Sequence, residues 1–364
     1  MATIEAPSSQ FQDRLRDYQQ AAGRLISGPA VWLLLLGLGI WALFAETDAF
    51  AVGVVSGSIL ALGALGLTLI YGVLKFAHFA HGDSMMFAAY VAFFALTGKI
   101  VGARPDIDVE LPWSIDSLPG ATTGIGEFSF GYGLLLAMLV AVVVMAVLFV
   151  GLDRLIYRPL RRRRSGFVIF AIASLGVALA IRALMLMLWG GTSRFYVGGL
   201  RDTTELPFDV IVVTDQFFIL GAALTLTLLL YLLLFRTKLG KAMRAMADNP
   251  DLALASGIDT QQIVNWTWVI GGASVAVAGV LLALQAQLKP ELGFVLLLPL
   301  FAAAILGGIG SPQGALVGAM VVGIVQEVAV TFDVISPGYR FSIAFIILIL
   351  TLLIRPGGLF GAKV

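Results

Sequence analysis

Long apolar stretches alternate with short polar ones along most of the chain. Runs at 30–45, 51–74, 84–98, 132–152, 167–189, 217–235, 263–284, 298–309, 314–331 and 340–354 are bounded by charge, glycine or proline. A helix needs about 20 apolar residues to cross the hydrocarbon core of a bilayer. The pattern predicts an all-α polytopic membrane protein with about ten transmembrane helices, and eight as the lower bound. The run 298–309 is too short to cross alone. It reads as a broken or re-entrant helix, which is tolerated only where protein buries it. The spanning region is therefore 30–354, between a tail at 1–29 and a tail at 355–364.

Composition narrows the class. Of 364 residues, 59% are hydrophobic and 12% charged, against about 45–50% and about 25% in a soluble domain. A cytosolic enzyme, a disordered chain and a nucleic-acid binder are all disfavoured, and the net charge of +1 suggests no polyanionic partner. With no cysteine, disulfides, thiolate metal sites and cysteine nucleophiles are excluded.

Charge also orients the chain. With the N-terminus in the cytoplasm, the inside holds Arg14, Arg16, Arg24, Lys75, Arg154, Arg158, Arg161 to Arg164, Arg236, Lys238, Lys241, Arg244, Arg355 and Lys363, which is 16 of the 23 basic residues. Lys99, Arg104, Arg194, Arg201, Lys289 and Arg340 fall outside. The positive-inside rule then places both termini in the cytoplasm and the loops 99–131 and 190–216 outside. The tail 1–29 has no cleavage signature after Val31–Ile40 and holds one candidate amphipathic helix, around Phe11–Leu25. Among the 41 glycines, Gly53 and Gly57 form a GxxxG pair suited to close helix packing.

Candidate chemistry is sparse. No phosphate-binding loop is present, since Gly98-Lys99 and Gly240-Lys241 are followed by Ile100 and Ala242. The main ionisable residues within spans are Arg182 and Glu327. They are candidates to pair with one another, or Glu327 faces the outer interface. Such scarcity weighs against an ion-coupled secondary carrier, which usually carries intramembrane carboxylates or histidines. His78 and His81 are the two histidines, and Asp83 is the one further ligand type close by. That set supplies neither a nucleophile nor a metal shell, so no cofactor, metal site or covalent chemistry is expected.

Three segments carry information. In Gly66–Asp83 an apolar run ends at Lys75 and polar and aromatic residues crowd a turn. Tyr71, His78 and His81 are candidates to line or gate a pathway, and Asp83-Ser84 is a candidate N-cap for the next span. The loop 236–262 predicts two short helices separated by Pro250, with Met243 and Met246 at i, i+3 and a stop at Gly257. Rich in Met and Ala, it offers an adaptable docking surface. In Ala302–Ala315, Gly307, Gly308, Gly310 and Pro312 interrupt a helix and would expose backbone groups able to hold a polar solute.

These segments together resemble the permease subunits of bacterial ABC importers for branched-chain amino acids. The family's Gly-Leu-Thr-Leu-Ile-Tyr-Gly-Val-Leu and following Phe-Ala-His-Gly turn match Gly66–Gly82. Its Gly-x-Ala-x-Arg-Ala and Ala-x-x-x-Gly-Ile match Gly240–Ile258. An Ala-rich segment ending Leu-Gly-Gly-x-Gly-Ser matches 302–311, and Arg-Pro-x-Gly-Leu-Phe-Gly matches Arg355–Gly361. Two departures stand out: His78 replaces the usual Asn, and the segments 1–29 and 99–131 look longer than usual.

The resemblance implies a non-enzymatic permease in the bacterial inner membrane. Its partners would be a second permease subunit, identical or related, two cytoplasmic ATPases and a periplasmic solute-binding protein. Lys241, Arg244, Asp248, Leu252 and Gly257 would then belong to the helices that couple to the ATPases. Branched-chain or related amino acids are the expected solutes, with urea or short amides as the alternative within the family.

Overall fold

The structure, a computed structural model, describes Gly37 and residues 46–100, 109–198, 201–206, 210–332, 336–355 and 357–360. The tail 1–29 with its candidate helix, and the run 30–45 apart from Gly37, lie outside the described residues, as do 101–108.

Helices dominate because the runs are long, apolar and nearly free of internal proline. In chain order they are α1 (Thr47–Leu74), α2 (His81–Thr97), α3 (Tyr132–Arg162), α4 (Phe167–Trp189), α5 (Asp215–Arg236), α6 (Lys238–Asp248), α7 (Pro250–Ala255), α8 (Thr260–Gln285), α9 (Leu292–Gly307), α10 (Pro312–Ala329) and α11 (Arg340–Ile354). Among the described residues seven helices are long and apolar enough to cross a membrane: α1, α3, α4, α5, α8, α10 and, counted from Pro337, α11. The shorter α2 and α9 have 17 and 16 residues. The run 298–309 is the second half of α9, which begins at Leu292 and continues through Pro299.

The all-α membrane class holds, and the little strand structure is confined to loops. Two short antiparallel ribbons sit in the loops: β1 (Lys99–Ile100) with β2 (Val109–Glu110), and β3 (Thr203–Leu206) with β4 (Val210–Val213). A bridge between Arg194 and Leu288 ties the segment after α4 to the segment after α8.

Three helices form the centre. α1, α2 and α8 bury most of their length, whereas α3, α4, α5 and α11 leave broad apolar faces exposed, as lipid-facing helices do. The close pairing of α1 with α10 comes from glycine. A methyl group on Gly53 would stand 2.7 Å from the Cα of Ile324, and one on Gly57 3.1 Å from the Cα of Met320. The GxxxG pair thus serves packing within the chain.

This contact can be tested against open glycines. Gly53→Leu drives a side chain into the α10 backbone, and overpacking of this kind costs roughly 1–3 kcal/mol. Gly176 on α4 has nothing within 4 Å of a Cβ, so Gly176→Ala should be neutral or stabilising by up to about 1 kcal/mol. Thermal unfolding in detergent should show a lowered midpoint for the first variant and none for the second.

Candidate functional site

One end of the bundle gathers the three segments singled out in the sequence, Gly66–Asp83, the loop 236–262 and Ala302–Ala315. The C-terminus of α1, the turn 75–80, the end of α3, the α6–α7 elbow and the α9–α10 turn all meet there. Lys75 closes α1 in the left-handed conformation (φ 58°), its amide donating to the Tyr71 carbonyl. The chain then enters α2 at His81, so Asp83 and Ser84 lie inside the first turn and do not cap it from outside.

His78 sits at the centre of an aromatic cluster. Its imidazole meets Phe76, Phe149, Tyr157 and Trp268 edge-on at centroid distances of 5.3–6.2 Å, and Tyr157 stacks on Trp268 at 5.1 Å. Both ring nitrogens of His78 are without a hydrogen-bond partner among the described residues, as is the Tyr157 hydroxyl. Burial, with the neighbouring His81 imidazole second, holds the His78 pKa well below the usual 6.5. The ring is neutral at physiological pH. His81 is also fully buried, and its Nε2 donates to the Gly63 carbonyl of α1 at 2.8 Å. The two histidines are thus core groups that fasten the turn to α1, α3 and α8.

Sequence reasoning missed the group that orders this cluster. Asp153, fully buried, accepts from the Trp268 indole at 2.7 Å and pairs with Arg161 at 2.7 Å. The helix widens locally into a π-turn over Asp153–Tyr157, which brings Asp153 and Tyr157 to the same inner face. One signal was available: a lone Asp closing a long apolar run, with Arg eight residues on, is costly in a membrane unless paired.

The elbow has an inner and an outer face. On α6, Gly240, Met243 and Met246 are buried against α5, α1 and α8. Lys241, Arg244 and Asp248 are exposed. On α7, Leu252 and Leu254 are 63% and 60% exposed, and Gly257 beside them turns the chain at φ 82°. The expectation that Met supplies the adaptable outer surface is therefore corrected. The i, i+3 methionines face the core, because that stripe of α6 is the one covered by α5 and α8, and leucine and charge make the outer face. Thr237 caps α6 and Asn249 caps α7, each accepting from a backbone amide at 3.0 Å.

The glycine-rich segment is a helix–helix turn. Gly307 ends α9, Gly308 and Gly310 carry positive φ (105° and 86°), and Ser311 caps α10 by accepting from the Gly314 amide. Part of its backbone is already engaged. Leu359 and Phe360 donate to the Leu306 and Gly307 carbonyls at 2.7 and 3.0 Å. The C-terminal motif seals the end of α9, and Gly358, at φ 71°, lets the backbone come close enough to do so.

Arg182 and Glu327 do not meet. Arg182 grips Asp83 with two hydrogen bonds, 2.8 and 3.0 Å, and lies 4.5 Å from the Phe294 ring centroid. This joins α4 to α2 and turns Asp83 away from any role with the histidines. Glu327 pairs with Arg340 at 3.0 Å and accepts from Ser56 at 3.2 Å, at the opposite end of the bundle. The alternative in which Glu327 serves the far interface is the one the geometry favours.

A family model described as branched-chain amino acid transport system / permease component matches residues 50–352. The chain belongs to this family. The permease is 31% identical over 320 residues to the high-affinity branched-chain amino acid transport system permease protein BraD of Pseudomonas aeruginosa, covering 85% of this chain and 94% of that one. It is 30% identical to the corresponding protein LivH of Salmonella typhimurium (85% and 93%). It is also 30% identical to the probable branched-chain amino acid transport permease protein LivH of Methanocaldococcus jannaschii (91% and 96%). Membership in a transport family accounts for a buried cluster with no nucleophile: the permease is a membrane component and not an enzyme.

The His78 environment predicts acid sensitivity. Its folded pKa lies below the unfolded value, so the unfolded chain binds the extra proton and stability falls as pH drops below about 6.5. His81, which interacts with His78 directly, and Tyr157 in the same cluster are the titratable groups facing it. In detergent the wild-type unfolding midpoint should drop between pH 7.5 and pH 5, and the drop should be smaller in His78→Asn. An equal drop in both would show that other groups set the acid response.

Proposed function

We propose that this chain is one of the two permease subunits of a binding-protein-dependent, ATP-driven importer for branched-chain amino acids in the bacterial inner membrane. Both termini and the α6–α7 elbow lie in the cytoplasm. The observation that carries this reading is the elbow itself. It is a capped, rigid pair of helices whose outer face shows Lys241, Arg244, Asp248, Leu252 and Leu254, on a chain with no nucleotide-binding motif of its own. An exposed apolar pair rimmed by charge suits docking to another protein.

The same elbow suits transmission. Met243 and Met246 pack into the body of the bundle, and Gly240 lets α6 press on the last turn of α5. A push on the outer face therefore moves α1, α5 and α8 together. ATP-driven closure of an ATPase pair would bias the permease between two packings, which is how differential binding energy becomes a conformational shift. The route itself runs between subunits or through the bundle near the α1 end, where Tyr71, His78, His81 and the Gly307–Gly310 turn gather. His81 and His78 support that route from behind. The substrate assignment rests on the names of the relatives and on an interior that is apolar.

Uptake in proteoliposomes tests the proposal. Leucine should accumulate only when the ATPases, ATP and the binding protein are all present. Gly257→Ile places a β-branched residue at φ 82°, a conformation costing roughly 1–2 kcal/mol. It should reduce co-purification of the ATPases while membrane insertion is unchanged. Accumulation by this chain alone, driven by an ion gradient, would identify a self-energised carrier and refute the importer.

A further inference from the structure

The junction of α3 and α4 is dense in positive charge. Arg154, Arg158, Arg161, Arg162, Arg163 and Arg164 follow Asp153, and the next acidic residue along the chain is Asp202. Asp153 is taken by Arg161. The other five arginines ion-pair with nothing among the described residues, although like charges one helical turn apart repel. The array is ordered. Arg154, Arg158 and Arg162 recur at every fourth residue along the end of α3. The amides of Arg163, Arg164 and Ser165 donate to the Pro159, Arg161 and Leu160 carbonyls. Arg164 closes the helix at φ 51°, a conformation usually left to glycine.

Helix length fixes the depth of this patch. The apolar part of α3, Tyr132–Leu152, has 21 residues. That is about 31 Å of helix, which matches a hydrocarbon core of about 30 Å. The arginines come directly after it and therefore stand in the headgroup layer. Apolar side chains stand among them. Leu155 is 79% exposed, and Phe167 and Val168 at the start of α4 are 51% and 66% exposed. At the edge of a bilayer such side chains reach acyl chains while the guanidinium groups stay among phosphates. The patch lies apart from the elbow: the π-turn packs on α4, whereas the elbow packs on α5, α1 and α8.

Clustered cations without counter-charge, exposed apolar side chains and headgroup depth together match the chemistry of an anionic lipid surface. We propose that the α3–α4 junction binds anionic phospholipid. Its phosphates lie on Arg154, Arg158, Arg162 and Arg163, and its acyl chains run past Leu155, Phe167 and Val168. Arginine suits the role because its planar guanidinium holds a phosphate through two hydrogen bonds at once. A lipid held there also anchors the turn that carries Asp153 and Tyr157, so the bilayer steadies the aromatic cluster around His78 from outside. The inference rests only on the chain spanning a membrane; neither solute nor ATPase enters it.

Spin-labelled lipids read the site on the full-length chain in phosphatidylcholine nanodiscs. Wild type should immobilise labelled phosphatidylglycerol in preference to labelled phosphatidylcholine, and raised salt should erode that preference. Arg158→Gln with Arg162→Gln should weaken it roughly fivefold for each arginine removed. Arg236→Gln with Lys238→Gln removes the same charge from exposed positions at the α5–α6 junction and should leave it unchanged. Both variants should elute and unfold like wild type in phosphatidylcholine alone. Inorganic phosphate at matched ionic strength should not displace the lipid, since it brings no acyl chain. The proposal is overturned by any of four results. They are no preference or a salt-independent one in wild type, equal loss in both double variants, displacement by phosphate, or an Arg158/Arg162 variant that keeps the lipid preference. If that last variant instead fails to co-purify the ATPases, the patch is a protein-docking surface.

Discussion

Backbone-to-backbone approach of helices is the constraint on which the rest of this structure depends. In lipid no hydrophobic force drives one apolar helix onto another, so association rests on packing contact and on polar groups that need partners. The α1–α10 seam meets the first requirement through Gly53, Gly57 and Gly323, where one helix lies against the main chain of the other. The same device recurs where Gly279 of α8 meets the Met85 carbonyl region, where Gly82 meets Gly293, and where Gly307 meets Gly314. Each contact fixes the spacing of two helices to within a side chain's width, and the polar groups can then be placed against one another.

Those polar groups supply the second requirement. Asp83 with Arg182, Asp153 with Arg161 and Trp268, and Glu327 with Arg340 and Ser56 each join helices far apart in sequence. An ionised group left alone in hydrocarbon is expensive, so each pair is a strong constraint on which helices can be neighbours. They sit at different places: one set orders the elbow end, one ties the first turn of α2 to the C-terminal half of α4, and one holds the far end.

The elbow end unites two physical roles. Its inner face is part of the core, through Met243, Met246 and the aromatic cluster around His78. Its outer face is unfinished, with exposed leucines and charge. A surface finished on one side and open on the other suits a lever that another protein moves.

The sequence by itself determined the membrane class, the positions of the described long helices, the two-helix elbow with its stops at Pro250 and Gly257, and the family. These follow from local quantities: runs of apolar residues, helix propensity, capping residues and the order of four motifs. The described residues stop short of ten spans, since 30–45 lies outside them and α2 and α9 are short. Tertiary structure alone decided the pairings. Nothing in the sequence told that Arg182 would choose Asp83 over Glu327, that the methionines of α6 would turn inward, or that Leu359 and Phe360 would close the end of α9. Those outcomes depend on which faces of distant helices come together, and in a chain where most residues are apolar no local pattern records that choice.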